Sequence, residues 1–223
     1  MQENAQNKRR YKEQLYQLFA RVGTALSNAH RLELLDLLVQ APRTVEALAR
    51  EAHLSVANTS QHLQRLKQAR LVTDEREGIY IRYRLADPAV GPLWLALSAV
   101  AEQQLAEVEV ALSSYRDHRH EFEPISAEVL QHRLRNGEVT LIDVRPTVEY
   151  EAGHLPGAIS FPLERLESRL GELSPDKVIV AYCRGPYCVY ADEALQLLSA
   201  QGWQVARLEE GVLEWQLAGY ALA

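Results

Sequence analysis

The sequence predicts two domains of different class, a mainly helical domain followed by an α/β domain with a parallel sheet. Apolar residues recur at helical spacing as far as about residue 116. From residue 125 onward, short apolar strands alternate with helices, which is the pattern of a parallel sheet covered by helices. A charged, histidine-rich segment separates the two patterns. We therefore expect domains at residues 1–116 and 125–223, joined by a linker at 117–124.

Composition and charge limit the classes of function. No apolar run approaches the roughly 18 residues that a membrane helix needs, and the polar N-terminus lacks the apolar segment of a secretory signal. The cysteines, Cys183 and Cys188, are too few for a disulfide scaffold. We therefore expect a cytoplasmic protein with no membrane partner. The net charge of −6 resides in residues 125–223, whereas residues 52–84 are locally basic, which hints at nucleic-acid contact.

The sequence of the first domain predicts a helix-turn-helix. Apolar residues at helical spacing indicate helices over residues 11–26 and 30–39. Thr44 can cap a short third helix that ends near residue 50, and Ser55 can cap a fourth that ends near residue 69. The turn between these last two helices falls at residues 52–54.

The fourth helix carries the candidate DNA-reading face. A helical wheel buries Thr59, Leu63 and Leu66 and points small and amide side chains outward. Asn and Gln can form bidentate hydrogen bonds to adenine, and Ser can bond base edges or phosphates. A solvated polar face is the alternative interpretation. The candidate DNA-contacting residues of this helix are Asn58, Ser60, Gln61, His62, Gln64 and Arg65.

A β-hairpin is predicted directly after this helix. Residues 71–85 alternate around Gly78, and the alternation places Arg82 and Arg84 on an open face. Arginines in that position can grip the phosphate backbone, so Arg76 and Arg82 join the candidate DNA contacts. The predicted arrangement is a winged helix-turn-helix.

These segments resemble the arsenic-repressor (ArsR) family of bacterial regulators over roughly residues 14–112. The resemblance rests on Ala25–Leu35, Val45–Ala49, Ser60–Leu66 and Gly78–Leu85, in that order and spacing. It implies a homodimer whose two reading helices meet the half-sites of a palindromic double-stranded DNA operator. A late apolar stripe would form the closing dimer helix, or would pack on the domain's own core. Its members are Leu93, Leu97, Val100, Leu105, Val108 and Leu112.

The metal-sensing residues of many ArsR members are missing from this sequence. Those members use Cys in the first helix of the turn or Asp/His pairs in the last helix. Residues 45–50 contain no Cys, and residues 90–114 contain neither His nor Asp. Because metal sites need clustered ligands, we expect no metal and no cofactor. Asp117, His118 and His120 in the linker are the remaining candidates for a metal site, against a solvated hinge.

In the second domain, a cysteine follows a predicted central strand. Ligands of parallel sheets bind beyond the carboxyl ends of the strands, and Cys183 occupies that place after the strand at 178–182. The loop at 183–189 leads straight into a helix, so its backbone N–H groups, the helix dipole and the adjacent Arg184 should favour the thiolate. Cys183 is therefore the predicted nucleophile, with an inert buried cysteine as the alternative. The strands are predicted at 139–144, 158–161, 178–182 and 205–208, and the helices at 127–135, 147–151, 163–170, 189–200 and 212–217.

Residues 125–223 resemble a single rhodanese domain, through the segment Asp143–Ile159 and through Cys183. The resemblance implies sulfurtransferase chemistry, in which a small donor such as thiosulfate or polysulfide gives sulfane sulfur to Cys183 as a persulfide. Val189 stands where related phosphatases have an arginine, which counts against phosphate-ester hydrolysis. The loop residues that would hold the anion or persulfide are Arg184, Gly185, Pro186, Tyr187, Cys188 and Val189. The residues that would hold the fold are Asp143, Arg145, Glu149 and His154, with catalysis by His154 as a base the less favoured alternative.

The second thiol and the overall function leave alternatives open. Cys188 could attack a persulfide on Cys183 as a resolving thiol, or could simply pack the loop. The leading hypothesis is a dimeric transcriptional repressor whose rhodanese domain senses sulfur. The second is a sulfurtransferase that the helical domain only dimerises or tethers to DNA, and the third is a response to arsenic oxyanions through Cys183. The polar face of the fourth helix and the hairpin arginines favour the first.

Overall fold

Two units make up the chain, Met1–Ala96 and Leu97–Ala223. The computed structural model describes residues 2–116 and 122–223. Most of the predicted linker, including Asp117, His118 and His120, lies outside the described residues. Its last residues, Glu123 and Pro124, lie in a strand of the second unit. The predicted domain boundaries stay a prediction.

The first unit is a helix-turn-helix followed by a hairpin. Its helices are α1 (Gln2–Leu26), α2 (Ala29–Gln40), α3 (Val45–Glu51), α4 (Val56–Gln68) and the first half of α5 (Val90–Gln104). Its antiparallel strands are β1 (Arg43–Thr44), β2 (Val72–Glu77) and β3 (Tyr80–Leu85), in the order β1-β3-β2. The predicted helices and hairpin are confirmed. The strand β1 was not predicted, because two residues are too short to show an alternation.

Side-chain caps and a buried leucine core define this unit. The hydroxyl oxygens of Thr44 and Ser55 each accept a hydrogen bond from a backbone N–H at the start of α3 and α4, both at 3.2 Å, as predicted. The turn between these helices contains His53 with a φ of 51°, a left-handed conformation that ends α3 sharply. Leu63 of α4 and Tyr83 of β3 belong to one buried apolar cluster that forms the core of this unit.

The predicted closing dimer helix is two helices in the structure. The helix α5 ends at Gln104 and α6 (Ala106–Tyr115) follows it, because Leu105 leaves helical geometry with φ −113° and ψ 100°. Neither Gly nor Pro occurs near Leu105, so no local signal in the sequence predicts the interruption. The indole of Trp94 near the start of α5 donates to Asp36 of α2 at 3.0 Å.

The second unit contains a five-stranded parallel sheet in the order β4-β8-β7-β5-β6, which confirms the predicted α/β class. The strands are β4 (Glu123–Ile125), β5 (Val139–Asp143), β6 (Ile159–Ser160), β7 (Val178–Tyr182) and β8 (Val205–Leu208). Besides the second half of α5 and α6, the α-helices of this unit in the described residues are α7 (Ala127–Arg135), α8 (Thr147–Ala152), α9 (Tyr190–Ala200) and α10 (Val212–Leu217). The strand β7 is central and buried on both faces, which explains its unbroken apolar sequence.

One predicted helix of this unit is wrong. Residues 163–170 form two short 3-10 segments, Leu163–Arg165 and Glu167–Glu172, instead of an α-helix. The spacing of three between Leu163 and Leu166 fits a 3-10 turn as well as an α-helix, and such turns commonly connect strands to helices. None of the helices in the described part of the chain has the length and apolar character that crossing a membrane requires.

Candidate functional site

Cys183 lies at the carboxyl end of the central strand β7, in the loop at residues 183–189 that leads to α9, here called the Cys183 loop. Its side chain is 2% exposed, and Cys188 near the other end of the loop is 7% exposed. The Cys183 Sγ lies 3.5 Å from the backbone oxygen of Cys188 and 4.0 Å from that of Gly185. Both cysteines are free thiols. The loop therefore folds around the sulfur of Cys183 and brings the two thiols together.

The environment of Cys183 favours its thiolate. Burial raises the pKa of the Cys183 thiol, but a hydrogen bond with Cys188, the charge of Arg207 and hydrogen bonds with the backbone of Ala191 and Gly185 lower it, so that the pKa falls to about 7. A thiol with this pKa is substantially ionised at neutral pH, and the thiolate is the nucleophilic form of cysteine.

The second thiol of the loop titrates in the opposite direction. The hydrogen bond with Cys183 raises the pKa of the Cys188 thiol, and burial and the charge of Cys183 raise it further. Cys188 therefore stays protonated while Cys183 is ionised. The pair is one thiolate that accepts a hydrogen bond and one thiol that donates it.

The cation that lowers the pKa of Cys183 is Arg207 of β8, and not the adjacent Arg184 that the sequence suggested. Arg207 is buried and its Nε donates to the Asp192 carboxylate in the first turn of α9 at 2.7 Å. Arg207 was not predicted from the sequence. The sequence did contain one indication, a charged residue inside the short apolar strand Val205–Leu208. A buried arginine in such a strand must be paired with an opposite charge, so it can act on neighbouring ionisable groups.

Arg184 instead joins the Cys183 loop to α8. Its Nη2 and Nε donate to the Glu149 carboxylate at 2.6 and 2.9 Å, and Glu149 is fully buried. The Arg184 guanidinium also lies over the ring of Tyr190, 5.2 Å from its centroid. The ion pair with Glu149 and the contact with Tyr190 hold the Arg184 side chain and so fix the first half of the loop. The charge of Arg184 lowers the pKa of Cys188 rather than that of Cys183.

The loop requires glycine where it meets the start of α10. Gly185 has a φ of 129°, a conformation that side chains disfavour. A Cβ on Gly211 would lie 2.4 Å from the Arg184 backbone oxygen, so the two backbones can approach only without a side chain at Gly211. The Glu214 carboxylate accepts a hydrogen bond from the Gly211 N–H at 3.1 Å and holds this contact in place.

A buried network holds the end of β7. The Asp143 carboxylate binds the Arg145 guanidinium at 2.6 Å, with both side chains fully buried, and accepts a hydrogen bond from the Tyr182 hydroxyl at 2.6 Å. Because Tyr182 directly precedes Cys183, this network fixes the backbone from which the loop begins. His154 stacks on Tyr150 with 3.7 Å between ring centroids. These positions support the fold-holding roles expected of the signature residues.

Tyr187 connects the Cys183 loop with α6 and with the second half of α5, which lie in the same unit. Its hydroxyl shares hydrogen bonds with Ser98 and Glu102 of α5. Burial is the largest effect and raises the pKa of Tyr187, the bond with Ser98 lowers it, and the charge of Glu102 and the bond with it raise it. The Arg116 guanidinium at the end of α6 lies 5.9 Å from the centroid of the Tyr187 ring. Tyr115 lies close enough for the charges of both loop thiols to add to the effect of burial in raising its pKa. Pro186 and Val189 complete the loop, and Val189 directly precedes α9.

The candidate DNA face of α4 is partly engaged within the protein. Thr59, Leu63 and Leu66 are buried, as the wheel predicted, and Gln61, Gln64 and Arg65 are exposed. Asn58 and Ser60, which the wheel placed outward, are half-buried. The Gln64 amide donates to the Tyr83 hydroxyl of the hairpin at 2.9 Å. The His62 ring lies 5.5 Å from that of His30 at the start of α2. Gln61 and Arg65 are therefore exposed members of the predicted set, whereas the exposed Gln64 is bonded to the hairpin.

The two candidate arginines of the hairpin, Arg76 and Arg82, differ in exposure and in their bonds within the protein. Arg82 is half-buried, where it donates to the Pro42 backbone oxygen at 3.3 Å and to the Glu77 carboxylate at 3.2 Å. The expected open position of Arg82 is therefore corrected: it holds the hairpin against the segment before α3. Arg76 is exposed at the hairpin end, with its Nε donating to Gly78 at 3.1 Å. Among the residues described, no three His, Cys, Asp or Glu side chains cluster as metal ligands.

Family models match both parts of the chain. Residues 28–74 match the model described as bacterial regulatory protein, arsR family, and residues 126–218 match the rhodanese-like domain. A solved structure, the homodimeric winged helix-turn-helix DNA-binding domain of Mb0332 from Mycobacterium bovis, is 41% identical, with a TM-score of 0.41, and the match covers 43% of this chain and 89% of that one.

Two curated relatives show how far the similarity extends. A sulfurtransferase of Allochromatium vinosum is 33% identical over 97 residues, which are 43% of this chain and 89% of the relative. The HTH-type transcriptional regulator Rv0324 of Mycobacterium tuberculosis is 46% identical over 200 residues, which are 90% of this chain and 88% of the relative. Because the second similarity spans both domains, this chain belongs to the family of ArsR-type helix-turn-helix regulators that carry a C-terminal rhodanese-like domain.

Proposed function

We propose that this protein is a transcriptional regulator in which the rhodanese-like domain accepts sulfane sulfur on Cys183 and the sulfur state of Cys183 sets the affinity for DNA. The observation that carries the proposal is the Cys183 thiol, with a pKa of about 7 at the carboxyl end of β7, in a chain that also contains a DNA-binding helix-turn-helix. Sulfur uptake by the Cys183 thiol is the signal, and DNA binding by the helix-turn-helix is the property that it changes.

Sulfur loading needs only chemistry that the loop can provide. The Cys183 thiolate attacks the outer sulfur of thiosulfate, a Cys183 persulfide forms, and sulfite leaves with the electron pair of the broken sulfur–sulfur bond. Arg207 and the backbone of Ala191 and Gly185 stabilise the negative charge at the sulfur. Polysulfide reacts in the same way, with a shorter polysulfide as the leaving group.

A second copy of the chain is the partner that the N-terminal helix fits best. Tyr11, Leu15 and Phe19 are exposed on α1, although apolar residues at this spacing normally face a protein surface. Leu97 and Val100 are exposed on α5. A homodimer that buries these stripes would place two α4 helices at the half-sites of a palindrome.

Exposure of Phe19 gives a direct test of the dimer. The Phe19→Glu protein should be a monomer by light scattering and should lose binding to palindromic DNA. Gln17→Glu introduces the same charge at a neighbouring exposed position of α1 and should leave the dimer intact. A dimeric Phe19→Glu protein would show that α1 is not part of the interface.

The route from Cys183 to α5 passes through Tyr187. A persulfide adds one sulfur atom to a closed loop, and Tyr187 of this loop is hydrogen-bonded to Ser98 and Glu102 of α5. If the loop fits the persulfide better in one arrangement of α5 than in another, loading shifts the equilibrium between the two by that difference in free energy. Tyr187→Phe should therefore take up sulfur normally and show a weaker effect of loading on DNA affinity.

The competing function is a sulfurtransferase for which the helical domain only dimerises or tethers the chain. The low pKa of Cys183 favours this function equally, so turnover must separate the two. The full-length protein should first be used to select a palindrome from random duplex DNA, and then be treated with thiosulfate and assayed for sulfite release. Palindrome selection with about one sulfite released per chain supports a regulator, and many turnovers without sequence selection support the enzyme. An arsenic response would require arsenite or arsenate, rather than thiosulfate, to modify Cys183.

A further inference from the structure

We infer that Cys188 converts a persulfide on Cys183 into a Cys183–Cys188 disulfide and releases sulfide, so that one loading event ends in a closed loop rather than in continued sulfur transfer. The inference rests on the proposed function, because it requires sulfane sulfur to be loaded on Cys183 first. It adds a second step that the family resemblance does not supply.

The geometry of the loop brings the two thiols together. Both cysteines are buried in the same apolar cluster at the carboxyl end of β7, with only residues 184–187 between them. The Cys183 Sγ lies 3.5 Å from the Cys188 backbone oxygen, and the two thiols are hydrogen-bonded to one another. A buried cysteine that only fills space has no need of this contact with the nucleophile.

The reaction balances without an external oxidant. The Cys188 thiol gives its proton to the terminal sulfur of the persulfide, and the resulting Cys188 thiolate attacks the Cys183 Sγ. The new bond joins the two cysteine sulfurs, the bond between Cys183 and the terminal sulfur breaks, and the terminal sulfur leaves as HS⁻ with the transferred proton. The terminal sulfur is reduced to sulfide while the Cys188 sulfur is oxidised to the disulfide level.

The hydrogen bond between the thiols sets the direction of this proton transfer. Cys188 is held as a thiol, because the hydrogen bond, burial and the charge of Cys183 all raise its pKa. It therefore carries the proton that the departing sulfide needs. The Arg184 guanidinium, whose charge lowers the pKa of Cys188, favours the thiolate that forms when the proton leaves.

The disulfide would be a longer-lasting signal than the persulfide. A persulfide can pass its sulfur to any acceptor thiol, whereas a buried disulfide reopens only when a thiol reaches it. The residue next to Cys188 is Tyr187, which is hydrogen-bonded to α5. Movement of Cys188 toward Cys183 would therefore act on the contact between the loop and α5.

The test uses the full-length reduced protein and one equivalent of thiosulfate. Wild type and Cys188→Ser are treated at a pH well above the pKa of Cys183, so that the loss of the Cys188 hydrogen bond does not limit loading. Sulfite, sulfide and intact mass are followed, and remaining thiols are trapped with iodoacetamide under denaturing conditions. Wild type should release sulfite and then one equivalent of sulfide, end two hydrogen atoms lighter than the starting protein, and take up no alkyl group.

The variants distinguish failure of this step from failure of the proposed function. Cys188→Ser should release sulfite, gain the mass of one sulfur atom on Cys183, and release no sulfide. A wild-type persulfide that lasts as long as that of Cys188→Ser, or sulfur mapped to Cys188, would overturn the inference and leave sulfur loading intact. If neither protein releases sulfite or gains sulfur, the proposed function fails and the inference fails with it.

Discussion

The helix α4 and the Cys183 loop place their candidate functional groups in opposite environments. On α4, Gln61 and Arg65 are exposed, so water or DNA can reach their polar groups. In the loop, Cys183 and Cys188 are buried, and their ionisation is set by fixed neighbours such as Arg207. Buried groups depend on their partners because no water replaces them, whereas exposed groups lose little when a partner is removed. Substitutions around the loop should therefore cost more free energy than substitutions on the DNA face.

The largest effect is expected at the buried ion pair beneath the loop. Asp143→Asn removes the carboxylate that is directly bonded to the buried Arg145 guanidinium, which costs about 3–5 kcal/mol of stability. The matched control is Glu172→Gln, which breaks a solvent-screened pair with Arg169 of nearly the same length and should cost far less stability. Urea unfolding of the full chain measures both. Equal losses from the two pairs would contradict the contrast between buried and exposed sites.

The next effect concerns the acidity of Cys183. Alkylation of Cys183, followed by mass spectrometry, should rise with pH around a midpoint of about 7 in wild type. Cys188→Ala removes the hydrogen-bond donor to the thiolate, so the pKa of Cys183 rises and the midpoint moves to higher pH. Cys188→Ser keeps a hydroxyl donor and should move it less. An unchanged midpoint in Cys188→Ala would show that Cys188 does not stabilise the thiolate.

Specificity of DNA binding should depend on Gln61 more than on Gln64. A lost bidentate contact with a base costs about 1–3 kcal/mol of discrimination, so Gln61→Ala should relax base preference by that amount. Gln64 already donates to the Tyr83 hydroxyl, and Gln64→Ala should have the smaller effect. Affinities for the selected palindrome and for single-base variants give the comparison. A larger loss from Gln64→Ala would mean that its contact with Tyr83 breaks on DNA.

The smallest effect on DNA is expected at the exposed hairpin arginine. Arg76→Gln should weaken binding to all sequences alike and reduce the slope of log affinity against log salt by about 1, as expected for one phosphate contact. Arg82→Gln should instead destabilise the hairpin, because Arg82 is bonded to Pro42 and Glu77. Salt titrations by fluorescence anisotropy separate the two. A salt slope that changes only in Arg82→Gln would reverse the assignment.

Local patterns of the sequence predicted much of the fold. The hydroxyl caps Thr44 and Ser55 act within three residues, and the apolar run before Cys183 reports burial on both faces, so each can be identified without the rest of the structure. The 3-10 segments after Pro162 and the interruption at Leu105 were not predicted, because their spacing and composition fit a continuous helix equally well.

The site was predicted less completely, since its electrostatics depend on residues far apart in sequence. Cys183 was identifiable from the strand before it, but its cation comes from β8, where Arg207 is held by Asp192 of α9. The neighbouring Arg184 was the obvious candidate in the sequence, and Glu149 draws its guanidinium into an ion pair at 2.6 Å. In the same way, the hydrogen bond from Gln64 to Tyr83 joins α4 to β3 and is invisible to a helical wheel.

The proposed regulation is tested most directly by the affinity for the selected palindrome before and after sulfur loading, measured in wild type and Cys183→Ser. Intact mass verifies the reaction, either as added sulfur or as the loss of two hydrogen atoms when the disulfide forms. We predict that loading changes the wild-type dissociation constant by about tenfold, which corresponds to about 1.4 kcal/mol of coupling, and leaves Cys183→Ser unchanged. If wild type reacts with the sulfur donor and binds the palindrome with the same affinity as before, the sulfur state of Cys183 does not control DNA binding and the proposed function is wrong.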